Sequence, residues 1–221
     1  MDKGIVIAGA TGEVGKRLVE KLIVQNPSTQ IHVLVRKHSP LFHTQVQQHV
    51  VDFNDLEDSP LNAAFSLAIC CLGTTIKQAG SEANFKRVDH DYVLSFARWA
   101  QHHGCREFAV ISSVGANAKS DNFYLSVKGK MEHDLNQMKW DRLWLLRPSL
   151  LLGPRHEFRL GEYAGAILGR LISPFLLGSL SKYKPIHMLK VAQTLVNLSQ
   201  SDVKKEGCFV LEGKALHKTK Y

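Results

Sequence analysis

Short apolar runs alternate along most of this chain with longer segments in which apolar residues recur every three or four positions. The first pattern indicates buried β-strands and the second indicates amphipathic α-helices. The runs predict strands at residues 4–8, 30–35, 49–51, 67–72, 107–111, 142–146 and 208–211. The periodic segments predict helices at residues 16–25, 81–103, 122–138 and 186–199, with Ser81 and Asn122 as N-terminal caps.

The alternation of strands and helices predicts an α/β fold with a doubly wound parallel sheet. Most of the predicted strands are continuous apolar runs, which is typical of strands covered by helices on both faces. Such sheets bind dinucleotides at the carboxyl ends of their strands. With 221 residues the chain suits a single domain, 1–221, with a cofactor-binding core at about 1–148 and a small C-terminal extension on the substrate side at about 149–221.

The extension carries candidate substrate contacts in Arg155, Arg159 and Tyr163, which follow the sixth predicted strand. An apolar stretch at residues 164–180 comes next, interrupted by glycine, arginine and proline. It has three interpretations, which we rank as a pocket wall, a subunit interface and a helix lying on a membrane surface. The chain has no run of about 18 uncharged apolar residues, so we expect no membrane-spanning helix.

A glycine-rich turn, Gly9-Ala-Thr-Gly-Glu-Val-Gly15, joins the first predicted strand to the first helix. The first glycine would permit a sharp turn, Gly12 would let the backbone approach a pyrophosphate, and Gly15 would let the helix pack closely on the strand. The helix N-terminus adds unpaired N–H groups and a partial positive charge. Glycines also mark plain turns, but the position between a strand and an amphipathic helix favours a phosphate-binding loop.

Basic residues end the second predicted strand, where folds that prefer NAD carry an acidic residue for the ribose 2′-hydroxyl. Arg36 and Lys37 stand there. A guanidinium pairs well with a 2′-phosphate, so we predict NADP(H); the alternative is a solvated Arg36 that stacks loosely on adenine. Asp52 and Phe53 follow the third strand, beside the expected place of adenine, and Asp52 either accepts from the adenine amino group or caps the next turn.

Tyr124 and Lys128 stand four positions apart on a predicted helix, so both side chains lie on one helix face. A nearby ammonium lowers the pKa of a phenol from about 10, which would make Tyr124 a general acid or base for a carbonyl–alcohol pair. Lys128 would also hold the nicotinamide ribose. Ser112 and Ser113 end the fifth strand, where a hydroxyl can orient a substrate oxygen, and we favour Ser113 over Ser112.

The predicted catalytic residues are therefore Ser113, Tyr124 and Lys128. Residues after the fourth and sixth strands complete the predicted cofactor site, although Arg147 also has a structural interpretation because it precedes a proline. The predicted cofactor-binding residues are Gly9, Thr11, Gly12, Glu13, Val14, Gly15, Arg36, Lys37, Asp52, Phe53, Leu72, Gly73, Thr74, Tyr124, Lys128, Arg147 and Pro148.

The composition favours a globular protein with an anionic ligand. The formal net charge is +8 and the pI about 9.4, but the basic residues are scattered, so we expect a nucleotide cofactor, a small-molecule substrate and no nucleic acid. The four cysteines show neither a disulfide framework nor metal-ligand spacing, and we predict no metal site. No signal peptide precedes the first strand, so we expect a cytoplasmic protein, and a homodimer is left open.

With these residues in place, the chain resembles the atypical branch of the short-chain dehydrogenase/reductase superfamily, and within it the Tat-interacting-protein-like NAD(P)H-binding oxidoreductases. The resemblance implies a Rossmann fold, bound NADP(H) and a Ser-Tyr-Lys triad at Ser113, Tyr124 and Lys128. It implies no particular substrate, and the short C-terminal part differs from that of sugar-nucleotide epimerases. The stretches that carry it are Gly9-Ala-Thr-Gly-Glu-Val-Gly15, Val88-Asp-His-Asp-Tyr92, Ile111-Ser-Ser-Val-Gly-Ala116 with Tyr124-Leu-Ser-Val-Lys128, and Leu146-Arg-Pro-Ser-Leu-Leu-Leu-Gly-Pro-Arg155.

Three functions are compatible with these residues. The first is an NADP(H)-dependent oxidoreductase, in which the cofactor transfers hydride and the protein supplies the proton. The second is a non-catalytic regulator that senses NADP(H) and binds another protein, and the third is an epimerase or isomerase with a transiently reduced cofactor. Tyr124 and Lys128 favour the first function, because a sensor needs no proton donor.

Overall fold

Nine β-strands lie within residues 4–153, 178–201 and 205–219, which are the residues that the structure, a computed structural model, describes. They are β1 (Gly4–Ala8), β2 (Ile31–Val35), β3 (Val46–Val50), β4 (Phe65–Cys70), β5 (Glu107–Ile111), β6 (Arg142–Arg147), β7 (Leu151–Leu152), β8 (Ile186–His187) and β9 (Gly207–Glu212). Seven of them form one sheet in the order β3-β2-β1-β4-β5-β6-β9, with parallel pairing throughout. The other two, β7 and β8, pair with each other.

The strand order reverses beside β1, and this confirms the predicted doubly wound parallel sheet. From β1 the chain continues to β2 and β3 on one side, and it then crosses to β4, β5 and β6 on the other side. In sheets of this kind a ligand crevice is expected outside the carboxyl ends of β1 and β4, because the two connections leave the sheet in opposite directions. The carboxyl ends of these strands are therefore the edge at which a ligand is expected.

Seven α-helices are found among the described residues: α1 (Glu13–Gln25), α2 (Ile76–Ala79), α3 (Glu82–Lys86), α4 (Tyr92–His102), α5 (Phe123–Gln137), α6 (Met188–Ser199) and α7 (Lys214–His217). Ser81 caps α3 and Asn122 caps α5, each by accepting a hydrogen bond from the backbone N–H three residues later. The helix predicted at residues 81–103 is present, but a π-helical turn at Arg87–Asp91 lies within it and separates α3 from α4.

Helices cover both faces of the large sheet, so its inner strands are largely buried on both sides, whereas the edge strands β3 and β9 are partly exposed. On one face, Leu18 of α1 and Leu195 of α6 belong to a single buried hydrophobic cluster. On the other face, Phe96 of α4 and Met131 of α5 belong to a second cluster. This double coverage is the physical reason why the strands read as continuous apolar runs rather than as an alternating pattern.

The last part of the chain contributes to the core of the fold. α6 packs with α1, and β9 is hydrogen-bonded to β6 as the outermost strand of the large sheet. Their bounds lie within two residues of the predicted helix 186–199 and strand 208–211. Arg155, Arg159, Tyr163 and most of the apolar stretch at 164–180 lie outside the described residues, so their predicted roles stay predictions.

Two histidine rings stack on each other between β2 and β3. His32 Nδ1 lies 2.9 Å from His49 Nε2, and the ring centroids are 5.2 Å apart. One proton fits between these two nitrogens, whereas a second proton would leave two donors facing each other. Burial lowers the pKa of His32 and the charge on His49 lowers it further, and burial also lowers the pKa of His49.

We expect acid to destabilise the fold through this pair. The unfolded histidines take up protons near the ordinary pKa of 6.5, whereas the folded pair resists protonation until a lower pH. As the pH falls below that value, the unfolded chain binds more protons and the stability present at neutral pH is lost. Urea denaturation at about pH 7.5 and about pH 5 measures the loss, which His49→Gln should reduce. An equal loss in the variant would show that the pair is not responsible.

Candidate active site

The glycine-rich turn after β1 brings the backbone of three chain segments very close together. Gly9 has a φ of 80°, and a Cβ atom there would lie 2.5 Å from the carbonyl carbon of Cys71, which follows β4. A Cβ atom at Gly15 would lie 2.3 Å from the Gly9 carbonyl oxygen. Both positions therefore require glycine: the first sets the turn of β1 against the turn of β4, and the second lets α1 pack on the turn.

The N-terminus of α1 faces this turn without a side chain to cap it. Gly12 is the N-cap residue and makes no side-chain hydrogen bond, while its carbonyl accepts from Lys16 N. The N–H groups in the first turn of a helix have no intrahelical acceptor, so they are available to an anion. Glu13 in the same turn lies 3.7 Å from Arg17, which offsets its negative charge. The turn fits the diphosphate of a dinucleotide.

The ends of β2 and β3 hold the residues predicted to select the cofactor. Arg36 and Lys37 are exposed directly after β2. Asp52 Oδ1 accepts hydrogen bonds from both the backbone and the side-chain nitrogen of Asn54, so Asp52 caps the turn after β3. The Phe53 side chain is buried in the second hydrophobic cluster, and any contact between this residue and a cofactor would come from its backbone.

A buried carboxylate joins the turn after β4 to the predicted catalytic helix. Asp89, in the π-helical turn, accepts a hydrogen bond of 2.8 Å at Oδ2 from the Thr74 N–H. Its other oxygen, Oδ1, lies 2.7 Å from the Lys128 ammonium on α5. The side chains of Lys128 and Asp89 are 4% and 1% exposed, so the ion pair is isolated from solvent. Asp89 thus connects the predicted cofactor residue Thr74 to the predicted catalytic residue Lys128, although Asp89 was not among the predicted site residues.

The Lys128 ammonium lies beneath the carboxyl end of β5, where it also donates to the Ile111 carbonyl over 3.4 Å. Burial alone would lower the pKa of Lys128, but the charge of Asp89 and the phenol of Tyr124 outweigh burial, so the pKa lies above its ordinary value. Lys128 is therefore charged at neutral pH. The role of Tyr124 as a general acid or base stays a prediction.

Tyr124 and the two serines lie beside this ion pair. The Tyr124 ring is partly exposed and packs at a tilt on Phe85 of α3, with ring centroids 5.6 Å apart. Ser113 Oγ donates to the Val114 carbonyl over 3.3 Å. Ser112 Oγ is buried and has no hydrogen-bond partner among the described residues. The structure thus brings the predicted catalytic residues to one sheet edge, and both serines remain candidates for contact with a substrate oxygen.

Arg147, at the end of β6, is engaged in contacts within the protein. Its guanidinium forms a double hydrogen bond with Glu132 of α5 and lies 3.9 Å from Glu212 of β9. The Pro148 carbonyl accepts from the Val114 N–H. These contacts favour the structural interpretation of Arg147, which holds β6, β9 and α5 together. Cofactor binding by Arg147 and Pro148 stays a prediction.

The described residues give two further findings on ligands and membranes. Residues 4–153, 178–201 and 205–219 contain no group of three or more histidine, cysteine or acidic side chains that could hold a metal ion. Within the same ranges, no helix combines the length and apolar character needed to cross a membrane.

The chain belongs to the family described as NAD(P)H-binding, which matches residues 9–170. The rat protein HTATIP2 is 39% identical over 166 residues, covering 73% of this chain and 68% of that protein. Protein FMP52, mitochondrial, from Eremothecium gossypii is 30% identical over 203 residues, covering 91% of this chain and 90% of that protein. These relatives confirm the predicted resemblance.

Solved structures of low sequence identity share the fold. UDP-N-acetylglucosamine 4-epimerase from Bacillus cereus aligns with a TM-score of 0.66 at 15% identity, over 96% of this chain and 78% of that one. A human epimerase family protein, SDR39U1, solved with NADPH, aligns with a TM-score of 0.63 at 15% identity, over 93% and 72% of the two chains. These alignments confirm the predicted Rossmann-type fold. At this level of identity they show the fold alone and give no information on a substrate.

The predicted cytoplasmic location is wrong. Relatives from several fungi, including Eremothecium gossypii and Candida albicans, are named as mitochondrial proteins. The prediction rested on the absence of a signal peptide and of a disulfide framework. Neither observation distinguishes the cytosol from other compartments in which thiols stay reduced.

We expect substitutions at Gly12 and Gly15 to have different effects, the first on cofactor binding and the second on the stability of the fold. Gly15→Ala should lower the free energy of unfolding by about 1–3 kcal/mol, because the new methyl group overlaps the backbone of the turn. At Gly12 a Cβ atom would meet only the Gly9 carbonyl oxygen, at 3.3 Å, among the described residues. Gly12→Ala should therefore change stability by less than about 1 kcal/mol but crowd the diphosphate and weaken NAD(P)H binding.

Urea denaturation measures the stability of both variants, and cofactor fluorescence titration measures binding. Unchanged NAD(P)H affinity in a well-folded Gly12→Ala protein would contradict the assignment of this turn to the diphosphate.

Proposed function

We propose that this protein is an NADP(H)-dependent oxidoreductase that interconverts a carbonyl and an alcohol on a small molecule. The position of Lys128 carries the proposal. Its charged ammonium is buried beneath the carboxyl edge of the sheet, one helical turn after Tyr124. A buried charge is expensive to maintain, and such charges are found at functional sites; here Lys128 would assist the transfer of a proton between Tyr124 and a substrate. Membership of the NAD(P)H-binding family supports the cofactor class.

The cofactor would lie across the carboxyl ends of β1 and β4, over the turns that follow these strands. The N–H groups at the start of α1 would hold the diphosphate, and Arg36 with Lys37 would pair with a 2′-phosphate. The adenine would contact the backbone after β3, and residues 72–74 would line the nicotinamide half. Lys128 would donate to hydroxyls of the nicotinamide ribose.

Tyr124 would donate the proton to the substrate oxygen during carbonyl reduction, or accept it during alcohol oxidation. Bound NADPH would supply the hydride. Lys128 would stabilise the phenolate that forms when Tyr124 gives up its proton. The Ser113 hydroxyl has a long bond to the Val114 carbonyl, at 3.3 Å, which it would exchange for one to the substrate oxygen.

Replacement of Tyr124 tests the proton-transfer step. Tyr124→Phe should reduce turnover by about 10²–10⁴-fold, because the ring remains but the proton donor is lost. NADPH affinity should stay close to that of the wild type. The matched control is Tyr92→Phe. Tyr92 lies on the neighbouring helix α4, and its phenol donates a hydrogen bond to Asn54 over 2.9 Å. Turnover is measured as NADPH consumption across a panel of aldehydes and ketones.

Three outcomes separate the candidate functions. Turnover that is lost in Tyr124→Phe but kept in Tyr92→Phe supports the oxidoreductase. Tight NADPH binding with no turnover of any carbonyl supports a regulator that binds the cofactor without catalysis. A cofactor that purifies with the protein and never exchanges supports an epimerase or isomerase.

Replacement of Arg36 tests the choice of cofactor. Arg36→Ala should weaken NADPH binding by about 10- to 100-fold and leave NADH binding nearly unchanged, because only NADPH carries the 2′-phosphate. Lys139→Ala is the matched control, since it removes the same charge from an exposed position beyond the C-terminal end of α5. Affinities come from fluorescence titration with each cofactor. Equal losses for NADPH and NADH in Arg36→Ala would contradict the proposed selection of NADP(H).

A further inference from the structure

Asp89 is a buried acid on the apolar side of a helical segment. Phe85, four residues earlier, and Val93, four residues later, are both fully buried. Asp89 is as deeply buried, with its side chain 1% exposed. Ionised carboxylates are almost never fully buried unless they are paired, and the partners here are the Lys128 ammonium and the Thr74 N–H.

The π-helical turn gives Asp89 its position. π-Helical turns are rare, and those that are found often lie at functional sites. The extra residue in such a turn changes the direction of the neighbouring side chains. A second contact fixes the turn to α5: His90 Nε2 lies 2.8 Å from Asp134 Oδ2. The other ring nitrogen, Nδ1, lies 2.7 Å from Asp91 Oδ1 on the same turn. The turn is therefore anchored to the helix that carries Tyr124 and Lys128.

We propose that Asp89 is a positioning residue of the active site, which holds the Lys128 ammonium charged and in place and ties it to the turn after β4 through the Thr74 N–H. The inference rests on the proposed function and deepens it. One carboxylate oxygen contacts each partner, so Asp89 links the lysine directly to the turn that would line the nicotinamide half of the site. Asp89 acts through these groups and does not itself reach the substrate.

Among the described groups that approach Lys128, Asp89 supplies the negative charge that balances the ammonium. Tyr124 approaches from the same helix, the Ile111 carbonyl from β5 and the Cys70 thiol from β4. Burial raises the pKa of Cys70 to about 12, so this thiol is neutral over the physiological range. Without Asp89, burial of Lys128 would be opposed mainly by Tyr124 and would favour loss of the lysine proton.

The protonation of Lys128 is the direct test. NMR of protein with ¹³C-labelled lysine follows it, and the Lys128 signal is identified by its loss in Lys128→Met. In the wild type, Lys128 should titrate above the ordinary lysine value of 10.5. Asp89→Asn keeps an oxygen for the Thr74 N–H but removes the charge, and the pKa of Lys128 should fall by about one unit or more. An unchanged pKa of Lys128 in this variant would overturn the proposal.

Asp91→Asn is the matched control. It removes a carboxylate from the same π-helical turn, but that side chain is 46% exposed and pairs with Lys86 and His90. The Lys128 titration should match the wild type in this variant. If Asp89→Asn does not fold, the wild-type titration decides alone, and a Lys128 that loses its proton below the ordinary lysine value overturns the proposal.

The pH profile of turnover separates positioning from a structural role. Asp89→Asn should lose activity as the pH rises through the lowered pKa of Lys128, while the wild type keeps it. A uniform loss at every pH would indicate a structural role and overturn the proposal. If the wild type turns over no carbonyl, the proposed function fails, but the Lys128 titration still tests the inference about Asp89.

Discussion

The site depends on one close approach of backbone to backbone, between the turn after β1 and the turn after β4. Gly9 lies so near Cys71 that no side chain fits between them. This contact lies at the point where the strand order reverses, which is where doubly wound sheets bind their ligands. It also places Thr74 where its N–H meets Asp89, and Asp89 reaches Lys128 on α5. The cofactor loop and the proposed catalytic helix are thus connected through a short series of contacts.

Most of the fold could be predicted because its signals are local. Continuous apolar runs and helical periods depend on neighbouring residues, and the predicted ends lie within a few residues of the observed ones. The π-helical turn escaped prediction because the apolar period of Phe85, Val88, Tyr92 and Phe96 passes through it without a break. The carboxylate of Asp89, on the buried side of that period, is a sequence signal that the segment does more than pack.

The candidate site was less predictable, because its contacts join residues far apart in the sequence. The pairing of Asp89 with Lys128 spans three helical segments and a strand, and no spacing rule reports it. The engagement of Arg147 with Glu132 and Glu212 depends equally on how β6, β9 and α5 pack together. The order of the sequence motifs predicted which edge of the sheet carries the site. The ion-pair partners of Lys128 and Arg147 at that edge could be identified only from the three-dimensional structure.

The central claim is that the crevice holds a dinucleotide with its nicotinamide end facing Tyr124 and Lys128. A crystal structure of the protein with bound NADP⁺ tests this claim most directly. We predict that the diphosphate lies on the N–H groups at the start of α1, with the Lys128 ammonium within hydrogen-bond distance of the nicotinamide ribose and the Tyr124 hydroxyl facing the ring. A dinucleotide bound elsewhere, or a Tyr124 hydroxyl directed away from the nicotinamide, would contradict it.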